Sequence, residues 1–213
     1  MKLNKSSSYL LTLIASVCFG SANVAAVQPT IKAEEIVVPS VTQENALATK
    51  RVTTRLTQSH YRKFQLDNDF SAKIFDRYLN FLDYNHNTFL QSDIDEMRAK
   101  YADKIDDELN EGKLDIAFIM YDLMMKRRYQ RFEYALSLLD KEPSLKEDDE
   151  IEIDREKAPW PKTQEEADKL WEQRVKNDII NLKLKDKKWA DIKKQLTKRY
   201  NLAIRRLTQT KAD

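Results

Sequence analysis

Residues 118–139 read FIMYDLMMKRRYQRFEYALSLL, and this stretch decides the fold class. After the first step, its large apolar residues are spaced alternately by three and four, which places them on one face of an α-helix. They are Phe118, Met125, Tyr129, Phe132, Leu136 and Leu139, with Tyr121 nearby. The pattern predicts one long, well-buried helix. Met120, Met124 and Met125 are interpreted as side chains that fill gaps in the core, the alternative being an adaptable peptide-binding surface.

The sequence before this stretch predicts three shorter helices. The first carries an apolar stripe at four-residue spacing, formed by Val52, Leu56, His60 and Phe64. Asp67 is a suitable N-cap for the second, whose stripe ends near residue 83. Ser92 with Asp95 resembles a capping box that opens the third, and Gly112 would end it because glycine readily adopts positive φ. We expect this third helix to continue without interruption to residue 109.

The sequence after residue 139 predicts an acidic loop, a Pro-Trp-Pro element and two further helices. Residues 140–156 hold nine acidic and three basic residues, which is typical of a solvated loop. Thr163 with Glu166 forms a second capping box after Trp160 and its flanking prolines. The last helix is cationic, since residues 183–211 contain eleven basic residues and two acidic ones. The prediction is therefore an all-α domain of about five to seven helices.

Composition excludes several classes of function. The 213 residues include two glycines, whereas a phosphate-binding loop, a dinucleotide fingerprint or a glycine-flanked nucleophile each needs several close together. Without Lys2 and Lys5 of the leader described below, 35 basic residues balance 35 acidic ones, so the charge does not favour a nucleic-acid partner. The sequence marks no residue as catalytic, cofactor-binding or metal-binding.

Two local features that could suggest a site are interpreted as structural. Residues 83–88 begin like a calcium loop with Asp83, but Thr88 replaces the required glycine and Ile94 replaces the closing glutamate. A turn between helices is the preferred interpretation. His60 lies in an apolar stripe with only His86 as a possible companion, which favours a residue at the edge of the core over a zinc ligand.

Residues 1–26 are typical of a secretory signal peptide. Lys2 and Lys5 precede an apolar run that is too short to span a bilayer, and small residues end the segment at Ala26. We predict cleavage after Ala26, a flexible mature N-terminus over residues 27–41, a helical domain over residues 42–213 and no transmembrane segment. The expected location is the periplasm, with the cationic last helix as a possible contact to an anionic membrane surface.

Several stretches of the chain resemble the N-terminal domain of periplasmic tail-specific proteases, also called C-terminal processing proteases. The most specific are the block at residues 70–83, which begins FSAKIFDRYL, and the APWP element at residues 158–161. Shorter similarities are RVT at 51–53, SHY at 59–61, KRR at 126–128, residues 154–162 and AIRRLTQT at 203–210. Together they extend over nearly all of the chain after the leader.

The resemblance implies a helical domain that precedes a PDZ domain and a protease domain with a serine-lysine dyad. Family members degrade or trim proteins from their C-termini. No position of this chain matches the dyad, the PDZ ligand-binding loop or the oxyanion donors, so the resemblance implies a non-catalytic part. It also implies contact with protein substrates, with the PDZ and protease domains, and with a lipoprotein adaptor.

The candidate docking residues are Trp160, Lys198, Arg199, Arg205 and Arg206. Trp160 is fixed in extended backbone by its prolines, so it either packs against its own domain, which we favour, or docks onto a partner. The helix through Leu207 reaches the end of the sequence without a stop signal, which favours a piece of a larger protease. The alternative function is a stand-alone periplasmic helical module that binds a protein.

Overall fold

The computed structural model describes residues 26–37, 39–61, 65–145 and 150–209. It contains seven α-helices and, within these ranges, no β-strand, which confirms the all-α class. In chain order the helices are α1 (Gln43–Ser59), α2 (Asn68–Leu82), α3 (Gln91–Tyr101), α4 (Ile105–Glu111), α5 (Asp115–Ser137), α6 (Gln164–Lys183) and α7 (Trp189–Thr208). Two short 3-10 turns lie at Ala33–Glu35 and Leu138–Asp140.

Helix α5 is the centre of the fold, as the opening stretch predicts. It packs against α7, α6, α2 and α4, so its apolar residues are covered from several sides. Met120 and Met125 are fully buried and Met124 is 4% exposed. Their interpretation as core side chains is confirmed, because a peptide-binding surface would leave them open to solvent.

Three predicted helix boundaries are confirmed by their capping contacts. The Asp67 side chain accepts a hydrogen bond from the Phe70 N–H at the start of α2. The Thr163 hydroxyl accepts from the Glu166 N–H at the start of α6. Gly112 ends α4 with φ of +78°, a conformation in which a Cβ atom would be strained.

The third predicted helix is wrong in two respects. The N-terminus of this helix is capped by Asp93, and not by Ser92 and Asp95 as predicted. Asp93 Oδ2 accepts a hydrogen bond from the Leu90 N–H at 2.9 Å. The helix also breaks after Tyr101 into α3 and α4. At the break, the Ile105 N–H donates to the buried Ser71 hydroxyl of α2 at 2.8 Å, so a side chain of another helix begins α4. Sequence periodicity continues across such a break and does not reveal it.

The apolar stripe of α1 is not a core face, contrary to the sequence prediction. Val52 is 57% and Leu56 44% exposed, and His60 lies just after the end of the helix and is exposed. Phe64 lies outside the described residues. The physical reason is the shortness of the partner, since α1 packs mainly against α4, which has seven residues and covers only part of it.

The segment at residues 27–36 also differs from the expected flexible N-terminus. The Val27 N–H donates to Asp140 Oδ1 and the Thr30 N–H to Asn201 Oδ1, both at 2.7 Å. The Tyr129 hydroxyl donates to the Ile31 carbonyl at 3.1 Å. The segment lies on the core through these bonds and through partly buried apolar side chains, a packing that has no helical period to detect.

The predicted leader falls almost wholly on residues 1–25, which lie outside the described part of the chain. Among the helices that the structure does describe, none combines the length and apolar character needed to cross a bilayer.

Candidate partner-docking site

The loop between α2 and α3 is organised by the carboxylate of Asp83. Oδ1 accepts from the Asn87 N–H at 3.1 Å, and Oδ2 accepts from the N–H groups of Thr88 and Phe89 at 3.0 and 3.1 Å. Asp83 is only 3% exposed, and His86 adopts positive φ to turn the chain. The segment that begins like a calcium loop is therefore a turn in which the Asp83 carboxylate binds backbone N–H groups of the same segment. This agrees with the preferred sequence interpretation.

The Pro-Trp-Pro element lies on this loop. The Trp160 indole N–H donates to Asp83 Oδ2 at 3.1 Å. Its ring stacks on His86 with 3.6 Å between ring centroids, and His86 Nδ1 lies 2.5 Å from the Ala158 carbonyl oxygen. The Pro161 carbonyl accepts from the Gln91 N–H at 2.8 Å, at the start of α3. The structure thus places Trp160 against its own domain.

Contacts on both sides fix the same loop. The Trp171 indole of α6 donates to the Asn87 carbonyl at 2.8 Å. On the outer side, the Tyr84 hydroxyl donates to Glu156 at 2.6 Å, and this hydrogen bond raises the pKa of Tyr84 above its ordinary value. Arg155 donates to the Pro159 carbonyl at 2.9 Å. The segment that leads from the acidic loop into α6 is therefore attached at several points.

Beside this loop is a cleft of about 430 Å³ between α2, α5, α6 and α7. Its lining includes apolar side chains, among them Met124, Met125, Phe132, Trp171 and Leu207. Three arginines, Arg128, Arg174 and Arg206, lie on it from three different helices. Among the described residues, Asp83 is the one carboxylate in the lining.

A second feature is the outward face of α2, which is named the α2 face here. Phe81 at its end is 80% exposed, and its ring stacks on that of Tyr78 with 6.3 Å between centroids. An open depression of about 530 Å³ is lined by Phe70, Lys73, Ile74, Arg77, Tyr78 and Phe81. Phe81 and the other apolar residues of this depression form a contiguous patch, and such patches are typical of surfaces that contact another protein.

Comparison with known proteins agrees, over most of the chain, with the resemblance described in the sequence analysis. Residues 52–213 match the family described as the tail-specific protease N-terminal domain. A tail-specific protease of Haemophilus influenzae is 66% identical over 214 residues. That alignment covers 100% of this chain and 31% of the relative. The chain belongs to the tail-specific protease family. It corresponds to the N-terminal domain and spans about a third of the length of the curated relative it matches.

In this tail-specific protease domain, the four basic candidates of α7 lie on one side of the helix. Lys198 and Arg205, like Arg199 and Arg206, are seven residues apart, so each pair lies nearly in line along the helix. All four side chains are exposed. Arg199 donates to Asp178 Oδ1 at 2.8 Å, and the Tyr200 hydroxyl donates to Oδ2 of the same acid at 2.8 Å. Burial, together with this acid, raises the pKa of Tyr200. Docking by the four basic residues stays a prediction.

Sequence reasoning missed the two features that shape the site of this tail-specific protease domain. It dismissed Asp83 once the calcium pattern failed, although an acid followed by a short polar turn is a known signal for binding to backbone N–H groups. It also had no means to bring Arg128, Arg174 and Arg206 together, because they come from three helices and approach one another only when these pack.

Proposed function

We propose that this chain is the non-catalytic N-terminal domain of a periplasmic tail-specific serine protease that degrades or trims proteins from their C-termini. In this proposal the domain is a helical scaffold that helps to enclose protein substrates and binds an adaptor. The family membership supports a role in proteolysis, and the sequence contains no position that resembles the serine-lysine dyad. Export by the predicted leader is part of the same proposal.

The observation that carries the scaffold role is the exposed α2 face. A domain that worked alone would gain stability by covering Phe81, whose side chain is 80% exposed. The matched relative is about three times as long as this chain, so much protein is available to cover the face. We infer that the PDZ or protease domain of the parent enzyme packs on the α2 face and that substrate is enclosed between them.

The adaptor role is assigned to the basic side of α7. Lys198 and Arg205 are exposed there, and neither residue lines the depression on the α2 face. Arg206 of the same helix and Phe81 both line the cleft beside the Asp83 loop, so the adaptor surface is assigned to Lys198 and Arg205, which line neither that cleft nor the depression. An adaptor with an acidic surface would suit the basic side, because complementary charge accelerates association and aligns the partners.

The α2 face is tested by Phe81→Asp in the full-length protease. We expect the rate of degradation of an unfolded protein to fall at least about tenfold, because a charge at a packed apolar contact is costly. The free energy of unfolding of the present chain should change by less than about 0.5 kcal/mol, since Phe81 is exposed there. The purified chain alone should not cleave the same unfolded protein.

Leu184→Asp is the matched control, because Leu184 is 77% exposed, lies at the end of α6 and does not line the depression on the α2 face. It should leave degradation unchanged. Equal rates for wild type and Phe81→Asp would contradict the scaffold role. Cleavage by the purified chain that a serine-protease inhibitor blocks would contradict its non-catalytic assignment.

A further inference from the structure

We propose that the cleft beside the Asp83 loop is a binding site for peptide carboxylates that are flanked by apolar side chains. It is called the arginine cleft below and is defined by Arg128, Arg174 and Arg206. This inference goes beyond the scaffold role, because it assigns a ligand class to a cleft within the domain itself.

The charged residues of the lining suit an anionic ligand. Arg128 and Arg174 line the cleft together with one acid, and that acid is already engaged: Asp83 accepts three backbone N–H groups and the Trp160 indole. Within the described residues, no salt bridge includes Arg128 or Arg174. The arginine cleft therefore has an excess of positive charge, and guanidinium groups bind carboxylates through paired N–H donors.

Two of these guanidinium groups are held in position by contacts within the domain. Arg174 lies over the Trp171 ring, with 4.7 Å between its Cζ and the ring centroid. Arg128 points its Nη2 at the Leu82 carbonyl, 3.4 Å away. A positioned guanidinium loses less side-chain entropy when it binds an anion, so such an arrangement favours a specific site over a diffuse charged surface.

The uncharged residues of the lining suit the other parts of such a ligand. The lining includes Tyr121 and Phe132, which keep partial exposure and suit apolar side chains, and it also includes Asn85 and Asn87, whose side chains carry amides. Amide groups can both donate to and accept from a peptide backbone. A volume of about 430 Å³ lies in the range of small-ligand sites and suits a few residues of extended peptide.

The test is fluorescence anisotropy with the purified chain and a dye-labelled peptide, Phe-Glu-Leu-Asp-Leu, with an amidated C-terminus. We expect saturable binding that weakens as salt is added, because ion pairs at an exposed cleft are screened. The amidated peptide Phe-Gln-Leu-Asn-Leu should bind at least about tenfold more weakly, since losing a charged hydrogen bond costs on the order of 1.4 kcal/mol or more. The same neutral peptide with a free C-terminus reports whether a terminal carboxylate is accepted in place of side-chain carboxylates.

Arg128→Gln combined with Arg174→Gln should weaken binding of the acidic peptide at least about tenfold. Arg55→Gln is the matched control, because Arg55 is exposed on α1 and does not line the cleft. Thermal unfolding of the double variant should resemble that of wild type, since both arginines are exposed. Equal binding by the double variant and the control would overturn the proposal. So would no saturable binding of either carboxylate peptide.

Discussion

Replacing Asp83 by alanine is expected to lower the free energy of unfolding by about 3 kcal/mol. The carboxylate is 3% exposed and accepts from the N–H groups of Asn87, Thr88 and Phe89 and from Trp160. Without it, these donors lose their partner in a site with little access to water, and unsatisfied buried donors are costly. Asp83→Asn should be intermediate, because its amide oxygen can accept while its NH2 group faces other donors. Urea unfolding followed by circular dichroism measures both changes.

The control for this loop is Asp103→Ala, which removes an exposed carboxylate from the link between α3 and α4. It should change the free energy of unfolding by less than about 0.5 kcal/mol, as surface substitutions usually do. A loss for Asp83→Ala that is no larger than this would mean that its carboxylate does not organise the loop.

Replacing Trp160 by alanine is expected to lower the free energy of unfolding by about 2–3 kcal/mol. The ring stacks on His86 and its N–H reaches Asp83, so both packing and a hydrogen bond are lost. The expected loss is smaller than the upper range for a fully buried tryptophan, because Trp160 keeps partial exposure. Trp160→Phe should cost less, since it keeps an aromatic ring against His86 and loses only the indole donor. Thermal and urea unfolding measure the series.

Tyr61→Ala serves as the aromatic control for Trp160, because Tyr61 is 87% exposed. It should leave the melting temperature nearly unchanged. If Trp160→Ala also leaves it unchanged, the packing of Trp160 against its own domain is wrong, and docking onto a partner is the better interpretation. In the double variant with Asp83→Ala, the losses should be less than additive by about 1 kcal/mol, since the two residues share a bond.

The elements that sequence reasoning predicted are those fixed by local pattern. The central helix follows from the regular spacing of its large apolar residues, of which Leu136 is fully buried. The start of α2 follows from Asp67 and the end of α4 from Gly112, because both residue types have strong positional preferences. Such signals depend only on near neighbours in the chain.

The predictions that differ from the structure depend on contacts between distant residues. The break between α3 and α4 is made by Ser71, which lies 34 residues before the amide that it binds. The exposure of Val52 depends on how little of α1 the short α4 can cover. The N-terminal segment is bound by Asp140 and Asn201, more than a hundred residues away in sequence. Periodicity carries no information about any of these contacts.

In the candidate site too, local features can be predicted from the sequence, whereas contacts between distant residues cannot. Trp160 could be named from the sequence because its two prolines exclude it from a helix interior. Its acceptor, Asp83, is 77 residues away, and no spacing rule connects the two. The arginine cleft likewise exists only once α5, α6 and α7 are packed.

The most direct test of the central claim, that this chain is one domain of a longer protease, is the intact mass of the native product. An antibody raised against residues 50–211 would capture it from a periplasmic extract. The account predicts a product roughly three times the length of this chain, as in the relative of which it covers 31%. A native product with the mass of residues 27–213 would contradict the account and favour a stand-alone binding module.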